Sequence, residues 1–307
     1  MNTSQLPDVQ AGRPEVEVGL ERVGVTGVQK LVEVGREDDR PLVFMAEFDV
    51  YVDLPAERKG IDMSRNMEVT NEVVDDLTRE PVYRVEDLCA EIAERLLGRH
   101  DYTTRTEVEM EADYMYRERT PASDLDTQGF AVVHASAVAT DEGVRRSIGV
   151  EVTGTTACPC AQGMMEGEAA EKLDELGLSD SEVDDFLSDV PQAAHNQRSR
   201  SYLSVEGEDV EVDVDDLLEI ARDSMSSRIY NLAKRPDEHH MVQEMHRNSK
   251  FVEDVVREMA REVVASLDLS DDAVVSMKQV NEESIHQHDA YSERVARYGD
   301  LRDQIRR

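Results

Sequence analysis

The chain has no tryptophan, only three cysteines and only six lysines among its 307 residues. Three cysteines cannot build a disulfide framework, and Cys158 and Cys160 are too close in sequence to bridge without strain. This excludes a small stapled secreted domain and points to a reducing compartment. No stretch approaches the ~20 apolar residues of a spanning helix. The opening residues, Met1 to Gln10, show neither a basic region nor an apolar run of the secretory kind. A cytoplasmic protein without a membrane partner is expected.

Positive charge is scarce throughout. Lys and Arg total 34 against 68 Asp and Glu, a formal net charge of -34. A generic nucleic-acid binder would be basic, so no nucleic-acid partner is expected. Lysine occurs only at 30, 59, 172, 234, 250 and 278, so arginine supplies nearly all the cations. An acidic, lysine-poor surface suits a cytoplasm with molar salt, where the Debye length falls to about 3 Å and self-repulsion is tolerated. The 39% hydrophobic content, arranged in periodic segments, excludes a disordered acidic chain. A folded enzyme of a halophile is expected, large enough for one big domain or two modest ones.

Periodicity gives a coarse map. Residues 1–15, with Pro7 and Pro14, read as a loose N-terminal arm. Leu42 to Leu54 reads as a long strand, and the following Pro55–Arg65 stretch breaks it with basic residues. Val85 to Leu97 carries apolar residues at helical spacing; 102–118, 129–140 and 145–154 read as strands. Residues 163–190 are crowded with acids and read as exposed helix inserted into a loop, a solvated face. From His195 a strand runs through Val205, then helices over Leu217–Leu232 and Phe251–Leu267, then a strand over Ala273–Val280. Strand pairs and helix pairs recur without visible identity. The expected class is α+β, with two similar modules over 16–162 and 191–307 separated by the acidic insertion.

The chemistry-bearing residues are dispersed. Cys158-Pro159-Cys160 follows a predicted strand through Gly154, Thr155 and Thr156, in a loop where functional groups concentrate. A thiolate there suits Zn²⁺ or Fe²⁺, although two cysteines beside a turn-forming proline can be purely structural. His195 sits in Ala-His-Asn-Gln-Arg, with Arg198 and Arg200 giving a local positive face. Lys234 and Arg235, read as the end of a helix, suit phosphates or simply a helix's negative terminus. Glu238 follows as a possible metal ligand, and the adjacent His239 and His240 read as surface or supporting residues. Glu253 opens a helix, where a carboxylate is ordinary charge complementation. Its two oxygens also match the N1–H and N2–H donors of guanine. Glu283, His286 and His288 follow the last predicted strand; the two histidines share a face if that strand continues. Cys, His and carboxylate spread over distant segments suit a mixed-ligand catalytic site with an open position better than a zinc finger.

Six ordered motifs then carry a family resemblance from about Val25 to Tyr291. They are Leu54-Pro55 with Lys59-Gly-Ile-Asp-Met-Ser-Arg65, Cys158-Pro-Cys160, His195-Asn-Gln-Arg198, Lys234-Arg-Pro-Asp-Glu238, Phe251-Val-Glu253 and Glu283-Ser-Ile-His286. Together they resemble the prokaryote-specific type IB/IV GTP cyclohydrolases, and more closely their archaeal, methanopterin-pathway branch. The chain departs from bacterial members in the longer gap between CPC and HNQR, and from many relatives in carrying Asp62 where they have His.

The resemblance implies a tunnelling fold (T-fold), built of modules with a four-stranded antiparallel sheet and two helices. It also implies a homo-oligomer, dimer or tetramer, with active sites at subunit interfaces. It further implies a metal held by Cys158, His195, Glu238 and His286, with Fe²⁺ expected and Mn²⁺ or Zn²⁺ as substitutes. Glu253 would anchor the guanine of GTP, Cys160 would help move protons, and Lys59, Arg65, Arg198, Lys234 and Arg235 would meet phosphates. The implied reaction opens the guanine ring, releases formate and diphosphate, and yields 7,8-dihydroneopterin 2′,3′-cyclic phosphate. The alternatives are a type IB enzyme giving the triphosphate, a non-catalytic purine- or pterin-binding module, and a structural Zn²⁺ protein.

Overall fold

A computed structural model describes residues 9–34, 42–77 and 84–306. Residues 1–8 of the expected N-terminal arm lie outside the described residues. Within the described residues the chain runs β1 (Leu20–Val34), β2 (Leu42–Leu54), α1 (Met63–Leu77), α2 (Val85–Arg99), β3 (Arg105–Arg119) and β4 (Asp126–Thr140). A second series follows: β5 (Gly143–Ala157), α3 (Pro159–Glu175), α4 (Asp180–Asp189), β6 (Asn196–Gly207), α5 (Val214–Asp223), α6 (Arg235–Arg247) and α7 (Val252–Ser266). It closes with β7 (Val274–Asn281), β8 (Ala290–Arg297) and α8 (Tyr298–Ile305). Strand order follows chain order from β1 to β8.

Stripped of α3, α4, α6 and α8, the order strand-strand-helix-helix-strand-strand occurs twice, which is the module of the tunnelling fold. The repeat begins again at β5, so the element order divides at residues 141–142, whereas the division at 162 put β5 with the first module. The acidic stretch 163–190 falls in α3 and α4, and in these two helices only Gln162 is buried. Spatially the chain forms two compact units from interleaved segments. One comprises the described residues up to 113 with 133–148 and 206–210; the other comprises 114–132, 149–205 and the described residues from 211 onward.

In the first unit, alternation decides the strand faces. Ala46, Phe48, Val50, Val52 and Leu54 of β2 are buried, and Met45 is exposed. Phe48 and Val50 lie opposite Met110 and Val108 of β3, both also buried. Helix α2 buries Val85, Leu88, Cys89, Ile92 and Leu96, and full burial pushes the Cys89 thiol up. Strand β1 pairs with β2 through two register shifts, one of them between Val25 and Val28. Gly27 lies there at φ +69° and donates its N–H to Asp49 Oδ1 at 2.8 Å. A glycine bulge thus interrupts the alternation that would otherwise mark the strand.

The second unit packs Val152, Leu203, Leu217, Leu218, Val255, Met259, Val263, Val275 and Met277 into its core. Helix α7 lies against α5, β7, β8 and α8. The helix expected over Leu217–Leu232 ends at Asp223. Its continuation is diverted to β5: Ser226 N donates to Thr155 O at 3.0 Å, and Thr155 N donates to Ser227 O at 3.1 Å. Asn248 and Lys250 side chains hold the carbonyls of Ser224, Met225 and Ser226. Tertiary hydrogen bonds win over helical periodicity here.

This unit also contains a buried ion pair, Arg222 with Glu118, whose side chains are 4% and 6% exposed. The guanidinium lies 4.6 Å from the centre of the Tyr116 ring. Arg222→Met should cost about 3–5 kcal/mol of stability, because it leaves Glu118 buried without its counter-charge. Chemical denaturation at fixed salt measures this. A Glu118→Leu/Arg222→Met double variant should recover most of the loss.

Candidate active site

The CPC motif turns the corner from β5 into α3. Cys158 is the residue before the helix, Pro159 its first residue, and Cys160 the next; Cys158 is half-buried and Cys160 exposed. Backbone bonds fix this corner from three sides. Cys158 N donates to His195 O at 3.0 Å, Lys250 N to Ala157 O at 3.1 Å, and Gln162 N to Cys158 O at 3.1 Å. The Gln162 amide also donates to the His246 carbonyl. Segments far apart in sequence thereby meet at the cysteine.

His195 enters β6 half-buried, with an oriented imidazole. Gln197 is buried, and its amide N–H donates to Thr156 Oγ1 at 2.9 Å, next to the Ser199 hydroxyl. Gln197 Oε1 therefore faces His195 Nδ1 at 3.1 Å and accepts its proton. The neutral ring then carries its lone pair on Nε2. Glu283 Oε2 stands 3.7 Å from the same Nδ1. The His286 ring lies edge-on to His195, with centroids 6.4 Å apart at 90°. His286 in turn stacks on His288 at 5.2 Å and 15°. Strand β7 ends at Asn281, so continued strand geometry does not align these two rings; the connection to β8 does.

Two helix starts hold the candidate carboxylates. Lys234 and Arg235 sit at the beginning of α6, which corrects the expectation that they end a helix. They lie at the positive end of the dipole, so charge complementation does not explain them. The acid beside them, Asp237, is fully buried. It accepts from Ala122 N, Ser123 N and Lys234 N at 2.8–2.9 Å and from Ser123 Oγ at 2.5 Å. Burial alone would raise its pKa, but these four donors hold it well below the usual carboxylate range. Glu238, next in sequence, is exposed, as are His239 and His240. In α7, Asp254 accepts the Phe251 N–H at 3.1 Å. Glu253 is exposed, and nothing among the described residues bonds its carboxylate.

The expected phosphate partners differ in freedom. Arg198 is exposed on β6, with Glu282 N donating to its carbonyl at 2.9 Å, whereas Arg200 is drawn to Glu151 and Glu282. Lys59 and Arg65 belong to the first unit. Lys59 is exposed, with its backbone N–H bonded to Gly12 O at 2.8 Å. Gly60 N donates to Gln10 O at 3.1 Å, so this part of the expected loose arm is pinned. Arg65 pairs with Asp62 at 3.3 Å and donates to Arg99 O at 3.1 Å.

Among the described residues, no three His, Cys, Asp or Glu side chains converge to hold one ion. Cys158 is joined to His195 by a backbone hydrogen bond, and the His195 ring has Glu283 and His286 beside it; Glu238 makes no hydrogen bond or ion pair to any of them among the described residues. The donor chemistry fits a borderline divalent metal: a half-buried thiol corner, an imidazole presenting Nε2, and a second imidazole beside it.

Two successive strand-strand-helix-helix-strand-strand series place the chain among tunnelling-fold proteins. The uricase from Arthrobacter globiformis shares this fold, with a TM-score of 0.52 at 12% identity over 92% of this chain and 96% of that one. Residues 6–292 match the family described as type I GTP cyclohydrolase folE2, and the chain belongs to that family. It is accordingly an enzyme. GTP cyclohydrolase MptA of Halobacterium salinarum is 60% identical over 306 residues, covering 99% of this chain and 98% of its own length. The protein of the same name from Haloferax volcanii is 58% identical over 303 residues, 98% of each chain. GTP cyclohydrolase MptA 2 of Methanocella arvoryzae is 49% identical over 306 residues, covering 98% of this chain and 99% of its own. Halophilic relatives fit the acidic, lysine-poor composition. Among the described residues no helix is long and apolar enough to cross a membrane.

The depressed pKa of Asp237 has a definite sign. Its stabilising contribution is present above the unfolded value, about 3.9, and is lost as pH falls through the lower folded value. Asp237→Asn should therefore melt below wild type at neutral pH, with the gap narrowing as the pH drops beneath 4. Thermal melts across that range at constant salt check it.

Proposed function

We propose that the enzyme acts on GTP in the cytoplasm, opening the guanine imidazole ring, releasing C8 as formate, and closing a pterin ring from the ribose carbons. The product proposed is 7,8-dihydroneopterin 2′,3′-cyclic phosphate, with diphosphate released. The observation that carries this reading is near-identical length and extensive identity with the relatives named GTP cyclohydrolase MptA. The corner joining Cys158 to His195 supports it.

The metal proposed is Fe²⁺, with Cys158, His195, His286 and Glu238 to hold it. When bound it supplies Lewis acidity for hydration at C8. The chain's own residues do the rest. Gln197 keeps the proton on His195 Nδ1 and so leaves Nε2 available. Asp254 satisfies the start of α7, leaving the Glu253 carboxylate to accept N1–H and N2–H of guanine, a pattern adenine lacks. Arg198, Lys234 and Arg235 are exposed cations suited to a polyphosphate approaching an acidic protein. Lys59 and Arg65 complete the proposed phosphate partners, and the exposed Cys160 can exchange protons.

A homo-oligomer, dimer or tetramer, with active sites at subunit interfaces is part of the proposal. Exposed Leu31 and Met45, paired across β1 and β2, and exposed Tyr291 and Val295 on β8 support it, since exposed apolar patches are normally covered. The rival product is 7,8-dihydroneopterin triphosphate, favoured by the "type I" family description. Phosphate analysis of the product separates the two.

Cys158→Ala should abolish turnover and cut metal content in a folded protein. Reconstitution under anaerobic conditions should give the highest activity with Fe²⁺, ahead of Mn²⁺ and Zn²⁺. Full activity with Zn²⁺ and none with Fe²⁺ would refute the ferrous assignment. Glu253→Gln should lose about 1.5–3 kcal/mol of GTP binding with metal content unchanged. Calorimetric titration of GTP and metal analysis read the two effects separately.

A further inference from the structure

The segment carrying Lys59 and Arg65 is held from beneath by a buried polar chain with fixed donor directions. Asn66 of α1 donates its amide N–H to Val50 O of β2 at 3.4 Å, which turns its oxygen toward His100. His100 Nε2 lies 2.9 Å from that oxygen and must donate to it. The neutral ring then has its lone pair on Nδ1, 2.8 Å from the Tyr102 hydroxyl, which donates. The Tyr102 oxygen accepts the backbone N–H of Asp62 at 3.2 Å. Every donor meets an acceptor from β2 to the 55–62 connection. His100 and Asn66 are 1% and 0% exposed, so the chain cannot trade these partners for water.

Tyr102 acts a second time through its ring. The Arg58 guanidinium lies 3.8 Å from the ring centre, donates to Gly60 O at 3.0 Å, and pairs with Asp62 at 3.1 Å. Arg65 reaches the same Asp62 oxygen. Arg58 is thus fully engaged in shaping the turn, while Lys59 between Arg58 and Gly60 remains exposed. The groups facing His100 agree with a neutral ring: burial first, then the Arg65 cation, lower its pKa, with Arg58 and Arg99 adding to this and Asp62 opposing.

We propose that His100 and Tyr102 are positioning residues for substrate phosphate, acting through the Asp62 backbone and Arg58 to fix Lys59 and Arg65. This rests on the reading of Lys59 and Arg65 as phosphate partners. The inference is that the buried His100 and the half-buried Tyr102, remote from the cysteine corner in sequence, control recognition of the triphosphate while leaving recognition of the base alone.

The test compares binding of GTP and of guanosine, which lacks phosphate, to the full-length protein in molar KCl. Tyr102→Phe keeps the ring under Arg58 and removes only the hydroxyl. It should weaken GTP roughly tenfold, as loss of one hydrogen bond in a fixed chain implies, with guanosine affinity unchanged. His100→Phe keeps a flat ring but removes both the donor to Asn66 and the acceptor for Tyr102, and should match that effect. The double variant should be no worse than either, because both break the same link. Arg65→Ala tests the underlying reading: if it leaves GTP and guanosine affinities both unchanged, the phosphate assignment itself fails. If Arg65→Ala selectively weakens GTP while Tyr102→Phe and His100→Phe only lower the melting temperature, the positioning role is overturned.

Discussion

The hydrogen bond from Cys158 N to His195 O is the constraint on which the site depends. Between these residues the chain leaves β5, builds two acidic helices that bury only Gln162, and returns as β6. Without that closure the thiol and the imidazole would belong to separate loops. Around it, Thr156 and Ser199 meet across the strands, the Gln197 amide donates to Thr156, and Lys250 N closes on Ala157 O. A long insertion between the two motifs is tolerable because loop-closure entropy grows only slowly with length. The strand ends, and not the insertion, determine where Cys158 and His195 lie.

Charge follows a related logic. In a chain with twice as many acids as bases, many arginines are committed to carboxylates: Arg222 to Glu118, Arg228 to Glu219 and Asp223, Arg58 and Arg65 to Asp62. Most exposed pairs of this kind contribute little stability, least of all in concentrated salt. Their effect is to leave few cations uncommitted. Lys59, Arg198, Lys234 and Arg235 are exposed at motif positions, two of them being lysines in a chain that has six. In the reading proposed above, these few charges are the ones that would meet a polyanionic substrate.

The sequence reading was sharpest where burial is apolar and periodic. Strand β2 spans the expected Leu42–Leu54, and α2 buries Val85, Leu88, Cys89, Ile92 and Leu96 as its spacing implied. It was blind where burial is polar or interrupted. Helix α1 presents Asn66 and Thr70 to the interior beside Val69 and Val73, so it has no continuous apolar stripe to detect. Strand β1 hides behind the Gly27 bulge, and α6 buries only Asp237 and Met245. Leu217–Leu232 reads as one amphipathic helix in sequence, whereas Ser226 and Ser227 are claimed by β5. Of the site, the cysteine corner, His195 and the His286–His288 neighbourhood were legible from residue type. The partners Gln197, Tyr102 and His100 were not, since a lone Gln, Tyr or His in sequence carries no sign of what it bonds.

The two candidate glutamates show how fine the limiting distinction is. Each helix start carries an acidic pair, Asp237-Glu238 in α6 and Glu253-Asp254 in α7. In each, the aspartate stands at the third helical position and returns to the backbone N–H of the residue before the helix, Lys234 or Phe251. The short side chain suits that return, and it relieves the neighbouring glutamate of any duty toward the helix dipole. Glu238 and Glu253 are therefore exposed, longer and uncommitted, which is the condition a ligand carboxylate needs. A substitution at the aspartate attacks the helix start; one at the glutamate spares it and, in the proposed reading, removes a ligand carboxylate. The structural acids and the proposed functional ones are adjacent in sequence, and a single residue of helical phase separates them.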